Sequence, residues 1–338
     1  MGAVATAPRT EFSLRQRLAH VEQGLFVFGM TIALCVVGAL TTDGFLSLNN
    51  LSSILQLSVT FGILGIAAAI VILGKGLDLS LAAVAIVTAQ VTLELMRRDL
   101  SEGRAILLVV LFALVIGLVN GFVVAFVEVP ALFTTLATGQ LVLGGVLVLF
   151  LEENIYSLPE GSAIAVLTDG SILGVPRAVL VGALVFLLGW LFISYTSVGR
   201  LIRAMGDNFD TARAMGAPVR PLQVLTYVVA ALLAAFAGYV MISTENSVET
   251  TGTAFDPLLF TAVTVAVIGG VSLSGGKGTL LGVLAGTLFV GVLNNLLVLH
   301  SFSTATQDIV RGALLLAAIA LDAWLHPRDE ETAKTDEL

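Results

Sequence analysis

The sequence predicts an all-α integral membrane protein with about ten transmembrane helices. Charged residues occupy 12% of the 338 positions, whereas soluble domains carry about 25%. Hydrophobic residues make up 57% of the chain, and the mean hydropathy is +1.01. Uncharged runs of membrane-spanning length also recur from one end of the chain to the other. A soluble fold of this size needs more polar positions to cover its surface than this chain supplies.

The individual spans follow from the length of these runs, because a helix needs roughly 20 mostly apolar residues to cross the hydrocarbon core. The first run exceeds the apolar region of about 7–15 residues in a signal peptide, so we expect it to be retained as a helix. The ten predicted spans are 23–42, 44–74, 79–93, 105–127, 129–151, 178–199, 221–244, 257–276, 278–307 and 307–324.

The distribution of basic residues predicts that both termini face the cytoplasm. With that orientation, eleven of the 16 Lys and Arg residues fall in inner segments and four in outer segments, which satisfies the positive-inside rule. The chain then divides into a cytoplasmic N-terminal segment (1–22), a transmembrane domain (23–325) and an acidic cytoplasmic tail (326–338). The net charge of −8 argues against a nucleic-acid-binding protein, and the lone Cys35 excludes an internal disulfide or a Cys-rich metal site.

Two of the predicted outer connections, 152–177 and 245–256, are polar and acidic. They fit ordinary solvated connections between helices, and they fit equally a docking rim for a partner outside the cytoplasm. Both interpretations stay open at this point.

The predicted inner segment 199–221 contains the signals of a short helix outside the membrane. Asp207 is a plausible N-cap, and Asp210 three residues later resembles a capping box. Gly216 suits the left-handed position after a helix, and Pro218 prevents continuation. We therefore expect a helix of about two turns over 208–215.

One face of this short helix is apolar, since Met205, Phe209 and Ala212 follow an i, i+4, i+7 spacing. Such a face suits either the lipid surface or a groove on a partner protein.

Two glycine-containing segments lie between predicted spans. In LGKGLDLSL (73–81), Asp78 stands where the next helix begins, as a helix cap or as part of a broken helix that lines a pathway. In IGGVSLSGGKGTLLG (268–282), the position five before Gly276 is Val271, and Gly278 follows Lys277. The phosphate-binding pattern GxxxxGK[ST] therefore fails, and we expect a glycine-rich turn and no ATP site on this chain.

Polar side chains inside spans are costly and mark candidate pathway residues. Amides and hydroxyls without paired charges suit an uncharged polyhydroxy solute, and they suit hydrogen bonds between helices equally well. The candidate pathway residues are Asp78, Gln90, Asn120, Thr135, Gln140, Asn294 and Asn295. No cluster of His, Cys and carboxylates has metal-ligand spacing, and no nucleophile–base pattern indicates a catalytic residue.

Several motifs in order give the chain a recognisable pattern. They are GLDLS (76–80), NGFVVAFVEVPALFTTLATG (120–139), GRLIRAMGDNFDTARAMGAPV (199–219), AVIGGVSLSGGKGTLLG (266–282) and the asparagine pair 294–295. From about residue 49 to 322 the chain resembles the permease subunit of ABC importers for ribose and related monosaccharides, a relative of the branched-chain amino acid permeases. At 74–78 it has Gly-Lys-Gly-Leu-Asp where members of that family usually carry a GGIDLS-like motif.

The resemblance implies a type II-like ABC importer permease fold in a bacterial inner membrane. It also implies a second permease subunit, identical or different, a cytoplasmic ATPase with two fused nucleotide-binding domains, and a periplasmic or lipid-anchored substrate-binding protein. ATP and Mg would then be bound by the partner ATPase, and this chain would hold no cofactor.

The resemblance further implies that the helix at about 206–216 is the coupling helix that contacts the ATPase. DTA…G at 210–216 is similar to the EAA…G pattern of importer permeases. The implied coupling residues are Asp207, Phe209, Asp210, Ala212, Met215 and Gly216.

A stand-alone secondary transporter coupled to H⁺ or Na⁺ is the alternative hypothesis. It requires inward-facing carboxylates near mid-membrane, where only Asp308 comes close, and Arg311 one turn later can neutralise that charge. A membrane scaffold without transport would have no need of the polar residues in the spans.

Overall fold

The computed structural model describes residues 14–250 and 255–325. Within these ranges the chain forms twelve α-helices and two small two-stranded sheets. The helices are α1 (Leu14–Thr41), α2 (Leu48–Leu73), α3 (Leu81–Arg97), α4 (Glu102–Phe126), α5 (Ala131–Leu149), α6 (Arg177–Tyr195), α7 (Ser197–Asp207), α8 (Phe209–Ala214), α9 (Val219–Glu245), α10 (Phe255–Ile268), α11 (Leu280–Leu299) and α12 (Thr304–Leu325). The predicted tail 326–338 lies outside the described residues, and α1 begins inside the predicted N-terminal segment.

Every predicted span coincides with a helix, which confirms an integral membrane protein. Among the described helices, α1, α2, α4, α5, α6, α9, α11 and α12 are long and apolar enough to cross a membrane. The apolar helices α3 and α10 are shorter, with 17 and 14 residues.

Three predicted spans extend four or more residues past the C-terminal ends of their helices. The helix α6 ends at Tyr195 because Thr196 caps α7, its hydroxyl accepting the N–H of Gly199 at 3.0 Å. The helix α10 ends at Ile268, before the pair Gly269–Gly270, and α11 ends at Leu299.

The core lies between α2, α3 and α9. The helix α9 packs against α2, α3 and α4, and α3 is buried along nearly its whole length. By contrast, nearly all apolar residues of α5 and α6 are exposed or only partly buried. This surface matches a lipid environment, in which apolar residues need not be covered by protein.

The contact between α4 and α9 depends on a GxxxG pair in α4. A Cβ at Gly117 would lie 2.8 Å from the Cα of Val228, and one at Gly121 would lie 2.7 Å from the Cα of Val224. Small residues at this spacing let two helix backbones approach closely within lipid.

Three connections meet at the predicted inner end of the bundle, and we call them the inner connections: 74–80, 196–218 and 269–279. The N–H of Gly276 donates to the carbonyl of Leu73 at 3.0 Å, and the Arg203 guanidinium donates to the carbonyl of Gly278 at 3.0 Å. Burial lowers the pKa of Arg203. The segment that carries α7 and α8 is therefore tied to both glycine-containing segments.

Lys75 is held in the left-handed backbone region, with φ of 62°. Only glycine adopts this conformation without an energetic cost, whereas for other residues the conformation costs roughly 1–2 kcal/mol. The turn predicted around 74–78 therefore forms with lysine in a position that favours glycine.

Replacing Lys75 with glycine is expected to raise the free energy of unfolding by about 0.5–1 kcal/mol, since the relief of strain exceeds the extra entropy of glycine in the unfolded chain. Thermal unfolding in detergent measures the change. Lys277→Gly is the matched control, because Lys277 is also exposed and lies outside the left-handed region. A lower unfolding temperature for Lys75→Gly than for Lys277→Gly would contradict the account of the turn.

At the end of the bundle that is predicted to be the outer one, the two polar connections are joined to each other. Strand β1 (Ile155–Ser157) pairs antiparallel with β4 (Ser247–Glu249), so that Tyr156 lies opposite Val248. Strands β2 (Ser171–Ile172) and β3 (Val175–Pro176) form a separate hairpin. The described parts of the two connections thus form one folded cap, residues 251–254 lie outside the described residues, and a docking role for this cap stays a prediction.

Charged residues hold this cap to α3. The Glu94 side chain is fully buried and pairs with both Arg97, at 2.8 Å, and Arg98. The same two arginines also pair with Glu152, in the connection that follows α5. The acidic and arginine residues therefore neutralise each other and anchor the cap.

Candidate translocation site and coupling surface

The 74–80 connection, which joins α2 to α3, carries a buried carboxylate. Asp78 is 2% exposed, and Ser80 is 1% exposed. The Oδ1 atom of Asp78 accepts hydrogen bonds from the backbone N–H of Ser80 at 2.8 Å and from its hydroxyl at 2.6 Å. Asp78 thus caps the turn that precedes α3, within a break between two buried helices.

Side chains from three further helices surround this turn. Asn120 of α4 donates from Nδ2 to the Ser80 hydroxyl at 2.9 Å. Thr135 of α5 accepts the N–H of Leu79 at 3.0 Å. The Tyr227 hydroxyl of α9 donates to the carbonyl of Leu77 at 3.5 Å. We call Asp78, Ser80, Asn120, Thr135 and Tyr227 the buried polar cluster.

Two acceptor atoms in this cluster are left over. Oδ2 of Asp78 and Oδ1 of Asn120 are buried and have no hydrogen-bond partner among the described residues. Buried polar atoms are normally paired, because an unpaired one costs about 1–3 kcal/mol. The cluster therefore has the capacity to accept hydrogen bonds from hydroxyl or amide donors.

The structure brings three of the predicted pathway residues together, Asp78, Asn120 and Thr135, and disperses the other four. Gln90 lies at the outer cap, where its amide donates to the carbonyl of Glu249 at 2.8 Å. Gln140 is exposed on the surface of α5.

The two asparagines of α11 make contacts between helices. Asn295 exchanges hydrogen bonds with Asn50 of α2, at 2.9 and 3.2 Å. Asn294 accepts a hydrogen bond from Arg311 at 2.7 Å. Both therefore hold neighbouring helices together in this conformation.

Two members of the cluster, Ser80 and Tyr227, were not among the predicted pathway residues. Ser80 lies within the GLDLS motif, so the motif itself was a signal for it. Tyr227 is 149 positions from Asp78 along the chain. Nothing in the sequence distinguishes it from the apolar residues of α9, so only the packing of the helices shows its place in the cluster.

The predicted coupling segment forms two helices, α7 and α8, separated by Asn208. The predicted N-cap, Asp207, was wrong: Asp207 is the last residue of α7, and the Asn208 side chain accepts the N–H of Thr211 at 2.8 Å. Both residue types cap helices well, but only Asn208 has the extended backbone that a cap requires.

The apolar stripe of this segment turns toward the protein itself. Met205 and Ala212 are buried against Val219 and Leu222, and Phe209 is half-buried beside them. The solvent-exposed residues in and next to α8 are instead Asp207, Asp210, Met215 and Gly216, and Met215 is 83% exposed. We call these four exposed residues the α8 surface.

Gly206 of α7 packs directly against the end of α2 and the 269–279 connection. A Cβ there would overlap the carbonyl oxygen of Leu73 and lie 2.6 Å from the backbone nitrogen of Gly276. A Cβ at Gly74 would lie 3.2 Å from the methyl group of Met205. The helix α7 therefore touches the same connection that carries Asp78.

Comparisons with known proteins identify the family of the chain. A family described as the branched-chain amino acid transport system permease component matches residues 50–319. The chain is 30% identical over 309 residues to a ribose import permease of Haemophilus influenzae, covering 90% of this chain and 94% of the relative.

Two other relatives are sugar permeases as well. The ribose import permease of Escherichia coli K12 is 31% identical over 304 residues, covering 88% of this chain and 92% of the relative. A fructose import permease of Rhizobium meliloti is 28% identical over 334 residues, covering 96% and 92%. No solved structure matched the chain. The chain therefore belongs to the branched-chain amino acid transport permease family, as a multi-pass transport subunit of the bacterial inner membrane.

Proposed function

We propose that this chain forms the translocation pathway of an ATP-driven importer for a monosaccharide or a similar small polar solute delivered by a binding protein. One observation carries the proposal: the buried polar cluster is built on the same connection that α7 touches, and α7 leads directly to the exposed α8 surface. A movement of α8 would therefore be transmitted to the cluster through the packing of α7 against this connection.

The chemistry of the cluster supports a polyhydroxy solute. Asp78 and Asn120 offer acceptor oxygens, and no cation lies within hydrogen-bond or ion-pair distance of either among the described residues. Sugar hydroxyls are the donors that suit such acceptors. The relatives named for ribose, D-allose and fructose support the same class of solute.

The division of labour between subunits follows from the family. A permease of an ABC importer works with an ATPase and a substrate-binding protein. We assign ATP and Mg to an ATPase with two fused nucleotide-binding domains, since the 268–282 segment departs from the phosphate-binding pattern at two positions.

A second permease subunit fits the exposed face of α5. Phe133, Ala137 and Gln140 all lie exposed at an i, i+4, i+7 spacing, which places them on one face. An amide facing lipid is costly, so Gln140 favours a protein or solute neighbour. Thr135 on the opposite side of α5 belongs to the buried polar cluster, which places α5 between the cluster and the proposed partner subunit.

The secondary-transporter hypothesis gains no support from Asp308. Its carboxylate pairs with Arg311 at 3.0 Å, and the same guanidinium contacts Gln307 and Asn294. The two residues lie in the second and third turns of α12, where an i, i+3 pair of opposite charges stabilises the helix.

Met215→Asp tests the coupling surface. The substitution places a charge where the ATPase groove would close over an apolar side chain, so we expect the ATPase to be lost from the purified complex while the permease remains folded. Quantitative mass spectrometry of the complex measures the retained ATPase. Met215 is 83% exposed, so the change disturbs little of the permease itself.

Met215→Leu is the matched control, because it keeps an apolar side chain at the same position. It is expected to retain the ATPase. Full retention of the ATPase by Met215→Asp would show that the coupling surface lies elsewhere, whatever the solute.

A further inference from the structure

An exposed apolar hairpin stands at the outer end of α6, and we call residues 171–176 the outer hairpin. Leu173 is 100% exposed, Ile172 is 51% exposed and Val175 is 39% exposed. Leu173 and Gly174 have φ of 53° and 80°, the left-handed pair that closes a two-residue hairpin turn. Leucine in that conformation is strained, so a polar Asn or Asp would suit the turn better than the apolar residue found there.

The position of the outer hairpin follows from the length of α6. With 19 residues, α6 is about 28 Å long, which is close to the roughly 30 Å thickness of the hydrocarbon core. Its first residue, Arg177, must therefore lie at the outer boundary of that core. Toward the other end lie Trp190 and Tyr195, whose ring centroids are 5.0 Å apart in an edge-to-face contact. Both residue types are enriched at membrane interfaces.

The outer hairpin is fixed directly to this boundary. The N–H of Arg177 donates to the carbonyl of Gly170 at 3.1 Å, and Ser171 pairs with Pro176 at the base of the hairpin. The Arg177 guanidinium donates to the carbonyl of Val166 at 3.4 Å, as a basic side chain at a membrane boundary turns toward polar groups. These hydrogen bonds hold the hairpin close to the start of α6.

The surface next to the hairpin is the lipid-facing side of α6. Leu180, Leu184 and Leu187 are exposed along one stripe that begins one turn below Arg177. Along the chain, Arg177 is the one charged residue between the exposed side chains of the hairpin and this stripe.

We propose that the outer hairpin inserts Ile172 and Leu173 into the interfacial region of the outer leaflet and anchors the cap of the permease to the lipid surface. The occupant of this apolar surface is lipid, because the hairpin immediately precedes a membrane span and is hydrogen-bonded to the first residue of that span. A protein partner on the same surface is the competing outcome of the test.

A fluorescent label at position 173 tests the proposal. An NBD group is attached to Leu173→Cys in a Cys35→Ala background, and the full chain is placed in liposomes that contain lipids with a nitroxide near the headgroup. We expect loss of most of the fluorescence and a blue-shifted emission without any partner protein. The control is the label on Glu160→Cys, an exposed position of the same cap, which is expected to be quenched by aqueous iodide instead.

A second variant separates the apolar contact from the turn geometry. Leu173→Asn retains the left-handed conformation, since Asn-Gly is a favoured hairpin turn, but it removes the apolar side chain. With the label on Ile172→Cys, the added Leu173→Asn is expected to reduce quenching by the nitroxide lipid.

Two results would overturn the proposal. One is a label at 173 that behaves as the label at 160 does, accessible to iodide and unaffected by the nitroxide lipid. The other is a label that is shielded only after the substrate-binding protein is added, which would assign the hairpin to protein docking.

Discussion

Gly206→Ala is expected to abolish solute uptake and to destabilise the permease. The added Cβ would overlap the carbonyl oxygen of Leu73 and press on the backbone nitrogen of Gly276 at 2.6 Å. Backbone atoms of two segments cannot move aside independently, so the cost should lie near the upper end of overpacking effects, about 3 kcal/mol. The N–H of Gly276 and the Leu73 carbonyl, which are hydrogen-bonded at 3.0 Å, would separate.

Thermal unfolding in detergent and uptake in cells measure the two effects of Gly206→Ala. Gly103→Ala is the matched control, because a Cβ at Gly103 meets open space and its φ is not positive. We expect the control to leave both measurements unchanged. Normal uptake by Gly206→Ala would mean that close contact between α7 and the 74–80 connection is not required for transport.

Ser80→Ala is the second substitution with a large expected effect. It removes the hydroxyl that donates to Asp78 at 2.6 Å and accepts from Asn120 at 2.9 Å. Both partners are buried and already carry one unpaired oxygen each, so the loss should cost about 3 kcal/mol of folding free energy. Uptake is expected to fall with it, because the cluster no longer holds α3 and α4 in register.

Ser53→Ala provides the comparison for Ser80→Ala. The Ser53 hydroxyl also makes a hydrogen bond, to the carbonyl of Asn49 at 3.0 Å, but it is exposed. We expect no measurable change in unfolding temperature or uptake for this control. If the two variants behave alike, the buried polar cluster is not a structural centre of the permease.

Hydropathy predicted the fold well because each span carries its own signal. Each of the ten uncharged runs corresponds to a helix of the structure, and the errors lay at the helix ends. Thr196 illustrates the reason, since it ends α6 and caps α7 in the same position. A local apolar count cannot detect such a junction.

The coupling segment shows where sequence reasoning reached its limit. The spacing of Met205, Phe209 and Ala212 indicated one apolar face, but only packing shows that this face turns toward Val219 and Leu222. Both the Asp207 and the Asn208 side chain are able to cap a helix. The choice between them depends on the backbone conformation at each position, which the sequence does not give.

The candidate site was only partly predicted, because the sequence does not show which polar residues meet in space. Polarity inside a span identified Asn120 and Thr135, and the possible broken helix at 73–81 identified Asp78. The polarity of Gln90, Gln140, Asn294 and Asn295 gave these residues the same weight. Polar residues that join helices and polar residues that line a pathway share one composition. The pairing of Gln90 with Glu249 and of Asn295 with Asn50 depends on contacts between distant parts of the chain.

Solute uptake into proteoliposomes tests the central claim most directly. The vesicles would contain this chain with its ATPase, and labelled ribose, D-allose or fructose would be supplied together with the substrate-binding protein. The account predicts uptake that requires ATP on the side of the α8 surface and stops when the ATPase is omitted. Accumulation of a sugar by this chain alone, driven by a proton or sodium gradient without ATP, would contradict it.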